Sequence, residues 1–265
     1  MQKFLTALLA VGFLITLYLG QSHWNQERQA SAKNKPIKQS STTKIDDQNS
    51  EEQKLLEFTS NWPTNAVEQF RQSLQADKPF TILFAGSPAL GSETDGSFPL
   101  IKEQLLKTFG EQHIKVELKT FNSTSTQLLY YKKQTEIADV NADLIILEPF
   151  ILMNNGEVLI KDTLENTSKI IDDIKKNKPE TAFILQPSFP LYQAEIYPHQ
   201  VEELKKYAQE KQLTYLDHWS SWPDPNTAEM KDYLLPDMSA PSEQGNHVWS
   251  EYILKFLTNS KSESE

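Results

Sequence analysis

The sequence predicts a three-layer α/β/α sandwich around a five-stranded parallel sheet. Along residues 80–257, short apolar runs alternate five times with segments of helical periodicity. Two of these runs, FTILFA at 80–85 and ADLIIL at 142–147, are bounded by polar residues, as is typical of strands buried on both faces. Because each strand–helix–strand crossover places a helix against the sheet, the alternation predicts helices on both of its faces.

The remaining elements follow from the same patterns. Helical periodicity precedes the first strand near 51–58 and 66–74, and Pro63 and Thr64 suit a helix start, with Thr64 as the N-cap. The other strands are predicted at 113–121, 181–185 and 213–216, and the other helices at 99–109, 124–136, 163–176, 197–211 and 242–257. In open parallel sheets the site lies at the carboxyl ends of the strands, so the residues directly after each strand are the candidates for function.

The N-terminus predicts a membrane segment over residues 1–22. Residues 4–20 carry no charge, and as a helix they would span about 26 Å, enough for a bilayer core. The segment is a signal anchor or a cleaved signal peptide. The small-residue site Ala30-Ser31-Ala32 lies well beyond the apolar run, which favours the anchor. Cleavage would instead give a secreted protein.

Residues 23–50 are mostly polar and predict a disordered tether between this segment and a domain at 51–260. Arg28, Lys33 and Lys35 follow the apolar run, whereas Lys3 alone precedes it, and the positive-inside rule would place the domain in the cytoplasm. The leader is very short, however, which is typical of export signals. We therefore expect a single-pass protein whose domain lies outside the cytoplasm.

Composition excludes several classes of function. Residues 51–265 carry 20 basic and 33 acidic side chains, a net charge of −13, which argues against nucleic-acid binding. The chain has no cysteine, so disulfides, thiolate metal sites and a cysteine nucleophile are excluded. No cluster of histidines and carboxylates has metal-ligand spacing, and we expect neither a metal nor another cofactor.

Two segments resemble sequence blocks of the SGNH (GDSL-type) hydrolases. Residues 85–91, AGSPALG, resemble the block Gly-Asp-Ser-hydrophobic-Thr-x-Gly, and residues 237–249, DMSAPSEQGNHVW, resemble the Asp-x-x-His-Pro-x-x-x-Gly-His-x-x-Trp opening of the last helix. The loops at 121–129, 143–150 and 186–190 are similar to the intervening blocks. The resemblance covers residues 80–257 and implies a flavodoxin-like sheet.

The resemblance also implies roles for individual residues. Ser87 matches the nucleophilic serine, Asn122 stands where the family has an oxyanion-binding glycine, and Asp237 matches the acid that orients the base. The position of the catalytic histidine is Ala240. A base would therefore have to come from His218, after the last strand, or from His247, in the last helix.

Three further residues are candidates for substrate binding. Glu148 ends a strongly apolar strand, where burial could raise its pKa for acid–base chemistry. Asn154 and Asn155 come a few residues after the position of the family's Asn-Asp pair. The two aromatic pairs, Tyr130-Tyr131 and Trp219-Trp222, are predicted to be core residues, with a sugar-stacking surface as the alternative.

Each candidate also has a structural interpretation. Ser87 can stabilise a turn, His218 and His247 can be surface or capping residues, and Glu148 can accept hydrogen bonds from loop amides. Two hypotheses therefore remain open. The first is an esterase or O-deacetylase that acts on acyl esters of cell-envelope polysaccharide. The second is a catalytically inactive SGNH-fold domain for binding or scaffolding at the cell surface. A further alternative is a substrate-binding partner in an envelope-assembly complex.

Overall fold

The central sheet has five parallel strands in the order β2-β1-β3-β4-β5. The structure is a computed structural model that describes residues 42–260, of which residues 51–260 belong to one compact unit. The strands are β1 (Phe80–Gly86), β2 (Ile114–Thr120), β3 (Leu144–Leu147), β4 (Ala182–Leu185) and β5 (Thr214–Tyr215). The predicted five-stranded parallel sheet is confirmed.

Nine α-helices are present in the described residues. They are α1 (Thr42–Phe58), α2 (Thr64–Gln75), α3 (Ser97–Phe109), α4 (Ser125–Tyr130), α5 (Gln134–Ala138), α6 (Ile151–Asn154), α7 (Ile160–Asn177), α8 (Tyr197–Glu210) and α9 (Glu243–Leu257). Short 3-10 helices occupy Pro88–Leu90, His218–Ser221 and Ala228–Tyr233.

Two hydrophobic cores, one on each face of the sheet, confirm the three-layer sandwich. Alternate residues along β1 show the division, since Ile82 and Phe84 enter one core while Leu83 and Ala85 enter the other. The first core also contains buried residues of α2, α3 and α9, and the second contains buried residues of α4, α5, α7 and α8. Both faces of the central strands are thus covered, which explains their continuous apolar runs.

Three details differ from the predicted elements. Residues 124–136 form two short helices instead of one, because Lys132 adopts a left-handed conformation with φ 56° that no α-helix accommodates. Helix α1 begins at Thr42, so residues 42–50, predicted as part of a disordered tether, are helical. Pro63, and not Thr64, holds the N-cap position of α2.

The predicted membrane segment at 1–22 and residues 23–41 of the predicted tether lie outside the described residues. From Thr42 onwards, no helix of the structure combines the length and the apolar character needed to cross a bilayer.

The strand register brings the predicted candidates to one edge of the sheet. Ala85 is paired with Leu147, and Leu147 with Leu185, so neighbouring strands end at the same level. The ladder continues one residue further, with Glu148 N–H donating to the Ala85 carbonyl at 2.9 Å and Gln186 N–H to the Leu147 carbonyl at 3.1 Å. The loops after β1, β3 and β4 therefore begin side by side.

Candidate functional site

The loop after β1 holds Ser87 inside the protein. Ser87 is 1% exposed. Its backbone N–H donates to Glu148 Oε2 at 2.8 Å, and its hydroxyl accepts a long hydrogen bond of 3.4 Å from the Ala89 N–H at the start of a 3-10 helix. In this structure the side chain stabilises a turn, as its structural interpretation expected.

Glu148 is fully buried against that loop. Gly86 makes the approach possible, since a Cβ at this position would lie 2.7 Å from both the Cβ and the carbonyl oxygen of Glu148. Burial raises the pKa of the Glu148 carboxyl, while the hydrogen bond from Ser87 and the proximity of the Phe150 and Ile151 N–H groups oppose the rise. The predicted rise in pKa therefore has the predicted cause, and the carboxyl also accepts from a loop amide.

The His218 ring is sealed in the core between the end of β5 and α9. It is fully buried and stacks on the Trp249 ring, with centroids 4.8 Å apart and planes 14° from parallel. Trp222 Nε1 lies 3.1 Å from its Nδ1, and the Pro187 carbonyl lies 3.0 Å from its Nε2. An indole nitrogen only donates, so Nδ1 must be the acceptor and Nε2 must carry the proton that Pro187 accepts.

This arrangement contradicts the assignment of His218 as a catalytic base. Its single acceptor nitrogen already holds the Trp222 proton, and its other nitrogen is a donor to Pro187. Desolvation by burial lowers the pKa of the ring to about 4, so the neutral tautomer is the stable one. His218 is a core residue that fixes the loop after β4.

Tryptophan side chains fix the same loop from two more directions. Trp219 Nε1 donates to the Ser188 carbonyl at 2.7 Å, and Trp249 Nε1 donates to Gln186 Oε1 at 3.0 Å. Trp222 is buried and Trp219 half-buried, so this predicted pair belongs to the core and its surroundings and is not a sugar-stacking surface. Tyr130 and Tyr131, in contrast, are exposed, and the prediction that they are core residues is wrong.

Asn154 is a buried structural residue, contrary to its assignment to substrate binding. Its Oδ1 accepts from the Ser125 N–H at 2.8 Å, and its Nδ2 donates to Ser125 Oγ and to Thr163 Oγ1, both at 2.8 Å. These bonds join α4, α6 and α7 and leave the side chain no free donor for a ligand. Asn155 is half-buried and terminates α6.

Solved structures identify the fold. A protein from Parabacteroides merdae named as a GDSL-like lipase aligns with a TM-score of 0.57 at 15% identity, covering 70% of this chain and 98% of its own. An acetyl xylan esterase from Geobacillus stearothermophilus aligns with a TM-score of 0.51 at 16% identity, covering 70% and 97%. A Bacteroides fragilis protein named as an acylhydrolase gives 0.52 at 16% identity, covering 74% and 98%. The fold is that of the SGNH hydrolases.

At these identities the likeness to the SGNH hydrolases is one of fold. No protein-family model and no curated protein matches the sequence. The predicted resemblance to the SGNH fold is confirmed.

The last SGNH block does not supply a base to Ser87. Asp237 is exposed and accepts from the Ser239 N–H at 3.1 Å and from its hydroxyl at 2.6 Å, two bonds that lower the pKa of the carboxyl. Ala240 occupies the histidine position of the block. His247 projects from α9 with 67% of its side chain exposed, and its Nδ1 lies 3.5 Å from Glu251.

The structure therefore brings only part of the predicted SGNH site together. Ser87 and Glu148 are in contact, whereas His218, His247 and Asp237 have other partners. Asn122 is exposed on the loop after β2. Among residues 42–260, no hydrogen bond links Ser87 to an imidazole.

Three buried polar residues at this edge were not predicted. Gln186, Ser188 and Tyr197 are fully buried, and within the described part of the chain Gln186 Nε2, Ser188 Oγ and Tyr197 OH have no hydrogen-bond partner. Tyr197 lies close enough to Glu148 and Ser188 for both to influence its pKa, which burial raises well above its usual range. The position of Gln186 directly after β4 was the signal available in the sequence.

Proposed function

We propose that this chain is a catalytically silent SGNH-fold domain that binds or scaffolds at the cell surface. One observation supports this function above the others: within residues 42–260, no histidine is hydrogen-bonded to the buried Ser87. Ester hydrolysis by a serine needs a neighbouring group that takes up the hydroxyl proton, and a serine without one is a weak nucleophile. Ala240 takes no proton, and both nitrogens of His218 are already bonded in the core.

An ester-hydrolysis assay tests this proposal. We expect the full chain and its Ser87→Ala variant to hydrolyse p-nitrophenyl acetate at the same background rate, and a fluorophosphonate probe to leave Ser87 unlabelled. An active acetyl xylan esterase of the same fold serves as the positive control for both measurements. Hydrolysis that is lost in Ser87→Ala, or an adduct located on Ser87 by mass spectrometry, would overturn the proposal.

The second candidate is an esterase or O-deacetylase of cell-envelope polysaccharide. The observation in its favour is that Ser87 follows β1 at the carboxyl edge of the sheet, where the resembling SGNH block has its nucleophile. Similar structures include an acetyl xylan esterase, whose name indicates an acetylated glycan substrate. Ser87-dependent release of acetate from acetylated xylan would establish this candidate and exclude the silent domain.

The proposed ligand of the silent domain is a cell-envelope glycan. Tyr130 and Tyr131 support it, because they are 78% and 66% exposed and their rings meet edge to face with centroids 5.0 Å apart. Exposed aromatic rings offer rigid apolar area with a polar hydroxyl at its end, which suits a sugar face bordered by hydroxyl groups. We further propose that residues 4–20 hold the domain at the membrane, on its outer side.

Titration with acetylated xylan oligosaccharides tests the glycan surface. We expect calorimetric binding by the full chain and its loss when both tyrosines are replaced by alanine. Leu159→Ala is the matched control, since it removes a side chain that is 74% exposed at the N-cap position of α7. Equal binding by the parent and the double variant would exclude this surface.

A further inference from the structure

Strand β2 is an edge strand along its whole length. It lies at one end of the sheet, and each of its residues from Ile114 to Thr120 is paired with β1. Among residues 42–260, no strand pairs with its outer side. An unpaired edge offers backbone N–H and C=O groups to another chain. The opposite edge, β5, has only two residues, so β2 is the edge that can accept a further strand.

The hydrogen bonds at the two ends of β2 show which of its backbone groups face outwards. The Phe80 N–H donates to the His113 carbonyl at 2.8 Å, and the Phe121 N–H donates to the Gly86 carbonyl at 2.9 Å. In a parallel pair, alternate residues of a strand bond to the same neighbour, so the odd-numbered residues within 113–121 bond to β1. The even-numbered residues of β2 therefore point their N–H and C=O groups away from the sheet.

A groove of about 490 Å³ runs along this outer edge. Six consecutive residues, 114–119, line it, although their side chains alternate between the two faces of the strand. Residues of both faces line one groove only if that groove follows the edge itself. Lys102 and Leu106 of α3 also line it, on the face where Leu118 packs against the first core. The edge thus has room for an extended chain, with apolar side chains on the α3 side.

The charges along β2 alternate in sign. Lys115, Glu117 and Lys119 share one face of the strand, and Lys115 Nζ lies 2.6 Å from Glu117 Oε1 of the same chain. Lysines on an edge strand often prevent pairing. A glutamate between two lysines, however, gives a pattern that an antiparallel copy complements. When two copies are centred on Val116, each Lys115 lies opposite Glu117 of the second copy. Centring on Glu117 would instead set like charges opposite each other, which is unfavourable.

We propose that two copies of this chain pair through β2, antiparallel and centred on Val116, so that the sheet continues across a two-fold axis. Each Val116 donates to and accepts from the other, and each Leu118 N–H donates to the Ile114 carbonyl of the second copy. The Ile114 N–H is not needed, since it donates to the Gly110 carbonyl at 3.2 Å.

The apolar side chains select this register over the other one that pairs opposite charges. Centring on Val116 brings Val116 to Val116 and Leu118 to Ile114 on the α3 side. Centring on Leu118 would set Val116 against Thr120, a polar residue. The inference goes beyond the proposed function, because it applies equally to a silent domain and to an active esterase.

Sedimentation equilibrium of the full chain in a non-ionic detergent tests the pair. A pair built on one strand edge is smaller than a standard interface, so we expect a monomer–dimer equilibrium with a Kd on the order of 0.1 mM or below. Glu117→Lys sets lysines opposite each other and should raise the Kd about tenfold or more. The double variant Lys115→Glu/Glu117→Lys exchanges the charges and should restore the parent value. Glu165→Lys is the matched control with an unchanged Kd, because Glu165 also pairs with a lysine of its own chain, Lys161.

Disulfide cross-linking reads the register directly, since the chain has no cysteine. In the proposed pair, residues 115 and 117 of the two copies occupy a non-hydrogen-bonded position, where the Cα atoms are about 4.5 Å apart and within reach of a disulfide. Under mild oxidation, a mixture of Lys115→Cys and Glu117→Cys chains should form a covalent dimer several times faster than either variant alone.

Four results would overturn the pair. A parent that sediments as a monomer at about 1 mM has no such interface. A dimer that Glu117→Lys leaves unchanged would associate through another surface, such as residues 4–20. A double variant as weak as Glu117→Lys would exclude the cross-strand charge pairs. A cysteine mixture that cross-links no faster than its components would exclude the register, and this measurement decides if Glu117→Lys does not fold.

Discussion

Acidification should destabilise this domain through His218. Above pH 6.5, the ordinary pKa of histidine, neither the folded nor the unfolded chain binds the proton. Between pH 6.5 and about 4, the unfolded chain binds it and the folded chain does not, because burial lowers the folded pKa. Stability is therefore fully present above the unfolded pKa and is lost as the pH falls towards the folded one.

The structure sets the size of the effect. One pH unit between the two pKa values is worth about 1.4 kcal/mol, so the interval from 6.5 to about 4 corresponds to about 3 kcal/mol. The cause is local: protonating Nδ1 would set its N–H against that of Trp222 inside the core. The raised pKa of Glu148 acts in the opposite direction, since it reduces stability as the pH rises above its ordinary value of 4.5.

Urea unfolding at pH 7, 6, 5 and 4 separates these contributions. The parent is compared with His218→Gln, whose amide can donate and accept hydrogen bonds but does not titrate, and with His199→Gln, which removes an exposed histidine. The stability advantage of the parent over His218→Gln should shrink by about 3 kcal/mol from pH 7 to pH 4. His199→Gln should follow the parent. A constant difference between the parent and His218→Gln would refute the neutral, doubly bonded ring.

Three further substitutions test the core of the site by urea unfolding. Asn154→Ala should lower the free energy of unfolding by about 2–4 kcal/mol, because it leaves buried partners in α4 and α7 unpaired. The control Asn155→Ala should change it by no more than about 0.5 kcal/mol. Equal losses in the two variants would contradict the structural role of Asn154. Gly86→Ala should lower the free energy of unfolding by at least about 2 kcal/mol, since its Cβ would lie 2.7 Å from the Glu148 carbonyl oxygen. Gly156→Ala should lower it by only about 1 kcal/mol, because that Cβ would meet open space and only the backbone, at φ 81°, is strained. Trp249→Phe removes the donor to the loop after β4 and should cost about 1–3 kcal/mol, and a near-UV circular dichroism spectrum like that of the parent would argue against this role.

The fold was predictable because both of its signals are strong. Apolar runs as short as 142–147 indicate a buried strand. The helices between them bury residues at helical spacing, as α7 does with Thr163, Thr167, Ile170, Ile171 and Ile174. The break at Lys132 was not predictable, because a lysine carries no preference for φ above zero and the loop conformation depends on packing.

The candidate site was predictable in position and not in chemistry. The register of parallel strands placed Ser87 and Glu148 together, as expected for residues that follow neighbouring strands. The roles of His218 and Asn154 depended on tertiary partners. A histidine after a strand looks the same in the sequence whether its ring faces solvent or, as here, the indole of a tryptophan four residues later.

The same partners explain how the carboxyl edge of an SGNH fold can become a core. An active site keeps donors and acceptors unpaired for its substrate, at a cost in stability. At this edge the Ser87 N–H and the indole N–H groups of Trp222 and Trp249 are satisfied from within the chain. Gln186 Nε2, Ser188 Oγ and Tyr197 OH have no partner among the described residues, so the edge has become core only in part. In the proposed silent domain, a base introduced at Ala240 would leave Ser87 buried beside an occupied N–H group, so gaining hydrolysis would require at least two changes, one that supplies the base and one that withdraws the Glu148 carboxyl.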